Sequence, residues 1–179
     1  MIMKKFLSAL LAFSLLFCLF SCGGDKKIDD SGENPYAETI LGETVKSFGF
    51  IGAAEVYASG DILIDAMRLD DDILSGKFGE LLDYPELSVI DEYAVYFSNE
   101  LYKEEFGLFR MTTEEEASAM KDYIAARMER LKRNAVNYPS VDTTMIDSYI
   151  VGSDGKWVWY AATNDNALFE RIVKDTLYK

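Results

Sequence analysis

Asp154-Gly155 sits midway along Asp147–Thr163, between two stretches of β-branched and aromatic residues, and nothing else in the chain restricts the fold as much. Asp-Gly is a favoured pair for a two-residue type I′ turn, so the segment is expected to fold back as a β-hairpin. Counting outward from that turn pairs Val151 with Val158, Ile150 with Trp159 and Tyr149 with Tyr160. Asn164-Asp165 then supplies a helix cap, and Leu168, Phe169, Ile172, Val173 and Leu177 recur at helical spacing.

A similar order precedes it. Tyr93–Ser98 is aromatic and β-branched and reads as a strand, Asn99–Lys103 as a turn, and Glu105–Met111 as a second, antiparallel strand. Thr113-x-x-Glu116 is a capping box, with Glu114 and Glu115 in the first turn where negative charge suits the helix dipole. Ala117, Met120, Ile124, Met128, Leu131 and Ala135 form one apolar stripe, and Tyr138-Pro139 ends the helix. The reading is an α+β fold: an antiparallel sheet of about four strands in ββα-ββα order, with the helices on one face.

Further upstream the pattern is less decisive. Tyr36–Lys46 is weakly helical through Ala37, Ile40, Leu41 and Val45, while Ser47–Ser59 receives no assignment. Asp61–Glu92 is an acidic block of short elements, carrying Ile62, Ile64, Met67, Leu69, Ile73, Leu74, Leu81 and Leu82 and interrupted at Gly76, Gly79 and Tyr84-Pro85.

The N-terminus has a different composition. Lys4 and Lys5 precede fifteen uncharged residues, Phe6–Phe20, too few for a membrane-spanning helix, which needs about 20. A secretory signal peptide fits better. Leu19-Phe20-Ser21-Cys22 has the spacing of a bacterial lipobox, in which the Cys sulfur receives diacylglycerol and the chain is cut before it. Cys18 follows the bulky Phe17 and lacks that context. The expected organisation is a signal peptide over 1–21, a tether over 22–35 and a single α+β domain over 36–179. Two acyl chains anchor stably where one does so only marginally. The thirteen residues Gly23–Pro35, polar and charged with Ile28 the apolar exception, would span roughly 20 Å on average and let the domain stand clear of the headgroups.

Cleavage removes Lys4 and Lys5 but no acid. It leaves 158 residues with 16 basic and 31 acidic side chains, and moves the formal charge from −13 to −15. Such a chain repels phosphate backbones, which excludes nucleic acid as a natural partner, and it repels anionic lipid, so the covalent anchor must hold it at the membrane. The chain has no His, and the only Cys left after cleavage is the lipid carrier. Cys/His zinc sites, Ser-His-Asp and Cys-His catalysis and intramolecular disulfides are thereby excluded, and no cofactor beyond the attached diacylglycerol is expected.

Tyr93, Glu105-Phe-Gly-Leu-Phe-Arg-Met111, Arg127, Tyr138 and Gly155-Lys-Trp-Val-Trp-Tyr-Ala161 together resemble a family of small Gram-positive-type lipoproteins known only as a domain of unknown function. The features are a Glu opening the second strand, an Arg late in the helix, a Tyr after it and a Gly before the last strand. The resemblance covers roughly residues 67–175, and Leu101-Tyr102 departs from the small polar loop that such a family implies. It implies an envelope location and an α+β fold, and no activity.

Candidate sites follow from these elements. Glu105 and Arg127 are placed to meet at the sheet–helix edge, either as a polar site or as a structural ion pair that sets helix register. Trp157 and Trp159 point to one face of their strand and Val158 and Tyr160 to the other. With helices on one face only, Trp157, Trp159 and Tyr160 are candidate binding residues, unless residues 36–66 cover them. Asp70-Asp71-Asp72 fails the EF-hand pattern, because Leu74, Ser75 and Leu81 stand at positions 5, 6 and 12. Ser118-x-x-Lys121 lies off the apolar stripe with no K-T-G triplet to complete a penicillin-recognising site. No metal site or catalytic set emerges. The expectation is a lipid-anchored binding module outside the cytoplasm, with a protein or envelope partner; the alternative is a carboxylate-dependent hydrolase of envelope glycan or peptide.

Overall fold

The computed structural model describes residues 28, 36–49, 53–79 and 83–178. The signal peptide, Cys22, the tether apart from Ile28, and Leu81 and Leu82 lie outside the described residues. Chain order is α1 (Tyr36–Phe48), β1 (Ala54–Ala58), α2 (Asp71–Phe78), a 3₁₀ turn (Leu87–Val89), β2 (Ile90–Ser98), β3 (Glu105–Met111), α3 (Glu114–Ala135), α4 (Thr144–Asp147), β4 (Ile150–Asp154), β5 (Trp157–Ala162) and α5 (Asn166–Leu177). The sheet is five-stranded in the order β1-β2-β3-β5-β4, and every pairing is antiparallel.

Two features differ from the expected sheet. It gains a fifth strand, because Ala54–Ala58 in the unassigned stretch pairs with β2 from Ala54 opposite Ser98 to Ala58 opposite Ala94. It is also covered on both faces rather than one. Tyr93, Val95, Phe97, Phe109, Val158 and Tyr160 join α2 and α3 in one core. Ala94, Tyr96, Phe106, Leu108, Trp157 and Trp159 join α1 and α5 in the other. Successive side chains alternate between faces, so a strand buried on both sides needs apolar residues at every position. β5, Trp-Val-Trp-Tyr-Ala-Ala, is buried at every position.

The hairpin turn also corrects the expected register. Asp154 belongs to β4 and pairs with Trp157, so the two-residue loop is Gly155-Lys156. Only Gly155 has a positive φ, 54°, which is the type II′ pattern with Gly first. Each pairing therefore moves by two residues: Ser153 faces Val158, Gly152 faces Trp159 and Val151 faces Tyr160. A shift of two preserves which face each side chain occupies. Gly152 has a steric role, since a Cβ there would lie 2.4 Å from the Trp159 ring.

Helices α2, α3 and α5 start where short polar side chains accept their free N–H groups. Thr113 accepts the Glu116 N–H at 3.1 Å, Asp70 the Ile73 N–H at 2.8 Å, and Asp165 the Leu168 N–H at 2.9 Å. Asp70 and its acidic neighbours begin α2, and among the described residues no three or more acidic, Cys or His side chains are grouped as metal ligands. Ile28 is partly buried against the α1/α5 core, so the expected free tether is docked at that residue.

Candidate functional site

The hairpin aromatics are core residues. Trp157 and Tyr160 are 0% exposed and Trp159 is 3% exposed, which removes all three as a contact surface. The cover that buries the tryptophans is α1 and α5: Tyr36 meets the Trp157 ring edge-on at 6.3 Å. Neither indole N–H reaches an acceptor. Tyr160 lies on the opposite face, where burial drives its hydroxyl pKa far above the ordinary range and the nearby Glu105 charge adds to the effect.

Glu105 and Arg127 do meet. β3 opens with Glu105 facing α3, and Arg127 sits on the buried side of that helix. Arg127 Nε and Nη2 donate to the two carboxylate oxygens at 2.5 and 2.6 Å, and Nη1 donates to the Lys77 carbonyl at 2.8 Å. The guanidinium lies 5.1 Å from the Phe97 ring centre and 5.8 Å from that of Phe78. Arg130, one turn on, donates to the carbonyls of Gly76, Lys77 and Gly79. Two α3 arginines therefore satisfy the carbonyl end of α2, where the helix dipole is negative. Lys77 extends the network to Glu55 at 2.7 Å and holds that carboxyl below its usual range. Each Arg127 nitrogen donates to a fixed protein acceptor, which suits a clamp between β3, α2 and α3. Neither groove described next is lined by Glu105, Arg127 or Tyr160.

The larger groove lies at the outer edge of the sheet, where sequence reasoning placed nothing. It encloses about 560 Å³ between Leu41 and Val45 of α1, Val56 of β1, Tyr96 of β2, and Leu63 and Met67 of the loop after β1. Its lining is apolar apart from Lys46, Asp65 and the Tyr96 hydroxyl. One buried carboxylate builds its outer wall. Glu38, in the first turn of α1, accepts the N–H groups of Ile62 and Leu63 at 2.6 and 3.2 Å. Gly60 permits that approach, since a Cβ there would lie 2.6 Å from Glu38 Oε1. Arg68 closes the loop base by donating to the carbonyls of Ala58 and Gly60 and pairing with Asp61. Met67 N–H donates to the Val56 carbonyl, so the returning chain also shields the open edge of β1.

This pinned loop leaves its apolar tip in solvent. Ile64 is 87% exposed, Ile62 53% and Met67 44%. The local signal was Gly60-Asp-Ile-Leu-Ile-Asp65, an apolar triplet bracketed by acids, too short for a helix and placed after a strand. A smaller groove of about 330 Å³ lies between the end of α3 and α4, beside the exposed Val136 and Tyr138.

Among the described residues, Glu92 is the acid with a raised pKa. It is buried against the start of α1 and accepts the Ala37 N–H at 2.7 Å, with Arg110 Nε 3.7 Å away. Desolvation raises its pKa, and the Ala37 bond and the Arg110 charge oppose the rise. That carboxylate holds a helix N-terminus, and it lines neither groove. No family model matches the chain, and no curated protein or solved structure matches it either.

Proposed function

We propose that this chain is a lipid-anchored, non-catalytic binding module of the cell envelope. Diacylglycerol on Cys22 holds it to the outer side of the cytoplasmic membrane, and the groove between α1, β1 and the Gly60–Met67 loop receives its ligand. The groove's composition carries the reading: an apolar concavity with a charged rim of one base and one acid suits an apolar group with little charge of its own. The lipobox spacing and the resemblance to small lipoproteins supply the location. A hydrolase would need two carboxylates converging on the cleft, and among the described residues Asp65 is the one carboxylate lining this groove.

Gly42 offers a direct test. It lies within α1, and a Cβ there would sit 3.6 Å from Leu63, an ordinary contact. Gly42→Leu should fill the groove and strengthen the helix by about 0.5–1 kcal/mol. A fluorescent apolar dye should bind the wild-type protein and lose that binding in the variant, whose melting temperature stays level or rises. Equal dye binding by both proteins refutes the groove as the site. Cys22→Ala should move the protein from membrane to soluble fractions, and continued detergent-dependent fractionation refutes the anchor.

A further inference from the structure

Ile28, the groove and the exposed isoleucines lie on one side of the sheet. Ile28 packs against the α1/α5 core, and the groove is lined by residues of that core and its partners, among them Leu41, Val45, Val56 and Leu63. Only five residues lie between Cys22 and Ile28, and the six Cα steps reach at most about 20 Å when fully stretched. Packed layers lie roughly 10 Å apart, so the α2/α3 layer stands about 20 Å beyond the α1/α5 layer. A chain docked at Ile28 could turn its far face to the bilayer only with this link taut around the domain's edge. The charge distribution points the same way. Helices α1 and α5 carry Glu38, Glu43, Glu170 and Asp175 against Lys46, Arg171 and Lys174, and Glu38 is buried, so their exposed charge balances. On the opposite face, α2 and α3 carry Asp71, Asp72, Glu114, Glu115, Glu116, Asp122 and Glu129 against Lys77, Lys121, Arg127, Arg130, Lys132 and Arg133. Arg127 is buried, so seven unburied acids stand against five bases, with five of the acids gathered at the helix starts.

From these observations we infer that the α1/α5 side of the domain lies against the membrane surface, with Ile62 and Ile64 of the Gly60–Met67 loop inserted at the headgroup level. The inference rests on the lipid anchor proposed above and deepens it: the groove then opens toward the bilayer, and its apolar ligand is a lipid chain. The loop is suited to insertion because Glu38 and Arg68 fix its base while its tip carries exposed branched apolar side chains. Asp61 is already paired with Arg68, which leaves Asp65 as the loop's unneutralised acid and favours a zwitterionic over an anionic surface.

The test uses the full chain, processed in a lipoprotein-making host and reconstituted in phosphatidylcholine vesicles. Cys18 leaves with the signal peptide and the Cys22 sulfur is acylated, so a cysteine introduced by Ile64→Cys is the one free thiol. An environment-sensitive fluorophore there should shift to the blue and be quenched by headgroup nitroxides several-fold more strongly than the same label at Val136→Cys, 79% exposed at the end of α3. Adding phosphatidylglycerol should weaken the difference. Both positions are exposed, so matching thermal melts establish that the variants fold. A lipidated chain whose two labels behave alike overturns the orientation and leaves the anchor standing; the exposed isoleucines then belong to a protein contact. A wild-type chain that itself takes up the thiol reagent has an unmodified Cys22, and that result removes the anchor and the orientation together.

Discussion

Arg127→Met should destabilise the domain by about 3–5 kcal/mol, because it strands a buried carboxylate. Glu105 is 5% exposed and Arg127 8% exposed, and two charge-assisted bonds join them at 2.5 and 2.6 Å. Met keeps most of the side-chain volume, so cavity formation adds little. The lost bond to Lys77 is a smaller effect, about 1 kcal/mol, since Arg130 also donates to that carbonyl at 2.6 Å. For a domain of this size the expected fall in melting temperature is roughly 10–15 °C. Arg127→Lys should recover only part of the loss, because an ammonium cannot reproduce the two parallel bonds and the reach to Lys77 together. The double variant Glu105→Met with Arg127→Met removes both charges and should return to within about 1–2 kcal/mol of wild type. Urea unfolding of wild type, Glu105→Met, Arg127→Met and the double variant gives the coupling energy directly. A cost below about 1 kcal/mol for Arg127→Met, with no coupling to Glu105, would refute the clamp.

Trp157→Ala should cost about 3–5 kcal/mol and collapse the near-UV circular dichroism, since the ring is wholly buried beside Tyr36; an unchanged melt would restore it to the surface. Gly152→Ala should cost about 1–3 kcal/mol in urea unfolding, because its Cβ needs the space that the Trp159 ring occupies. Glu92 should make stability fall as pH rises. Its folded pKa lies above the ordinary 4.5, so the folded chain holds the proton more tightly, and the stability this lends below about pH 4.5 is lost as pH climbs through the folded value. Glu92→Gln keeps an acceptor for the Ala37 N–H and should flatten that part of the pH–stability curve; an unaltered curve assigns the dependence elsewhere.

Residues with strong local signals were legible without a structure. The stripe on α3 and the caps at Thr113 and Asp165 are short-range chemistry, and the strand Glu105–Met111 sits between clear breaks. Alternation should also have been read in the negative. Tyr-Ala-Val-Tyr-Phe, Phe-Gly-Leu-Phe and Trp-Val-Trp-Tyr-Ala-Ala do not alternate with polar residues, and an uninterrupted run is the mark of a strand covered on both sides. With that mark, the second alternative for the tryptophan face, a cover drawn from residues 36–66, is the expected one, and α1 supplies it together with α5. β1 escaped because Ala-Glu-Val-Tyr-Ala is short and carries a Glu, whose partner Lys77 comes from another element. The groove was illegible for a deeper reason. Its wall depends on Glu38 reaching a loop 24 residues away, a bond that no local period records.

The polar contacts divide the two faces of the sheet by role. On the α2/α3 face, Arg127, Arg130, Lys77 and the Glu acceptors knit β1, β3, α2 and α3 into a network whose members are fixed by one another. On the α1/α5 face, the corresponding buried acids Glu38 and Glu92 each hold backbone N–H groups, one at the loop after β1 and one at the start of α1. Both therefore act on the elements that border the groove, and neither is tied to the clamp on the far side. A substitution at Gly42 or Ile64 touches this second set alone. The groove and its loop can consequently be altered while the clamp keeps the sheet assembled, and this separation is what allows the proposed ligand binding and membrane contact to be tested apart from folding.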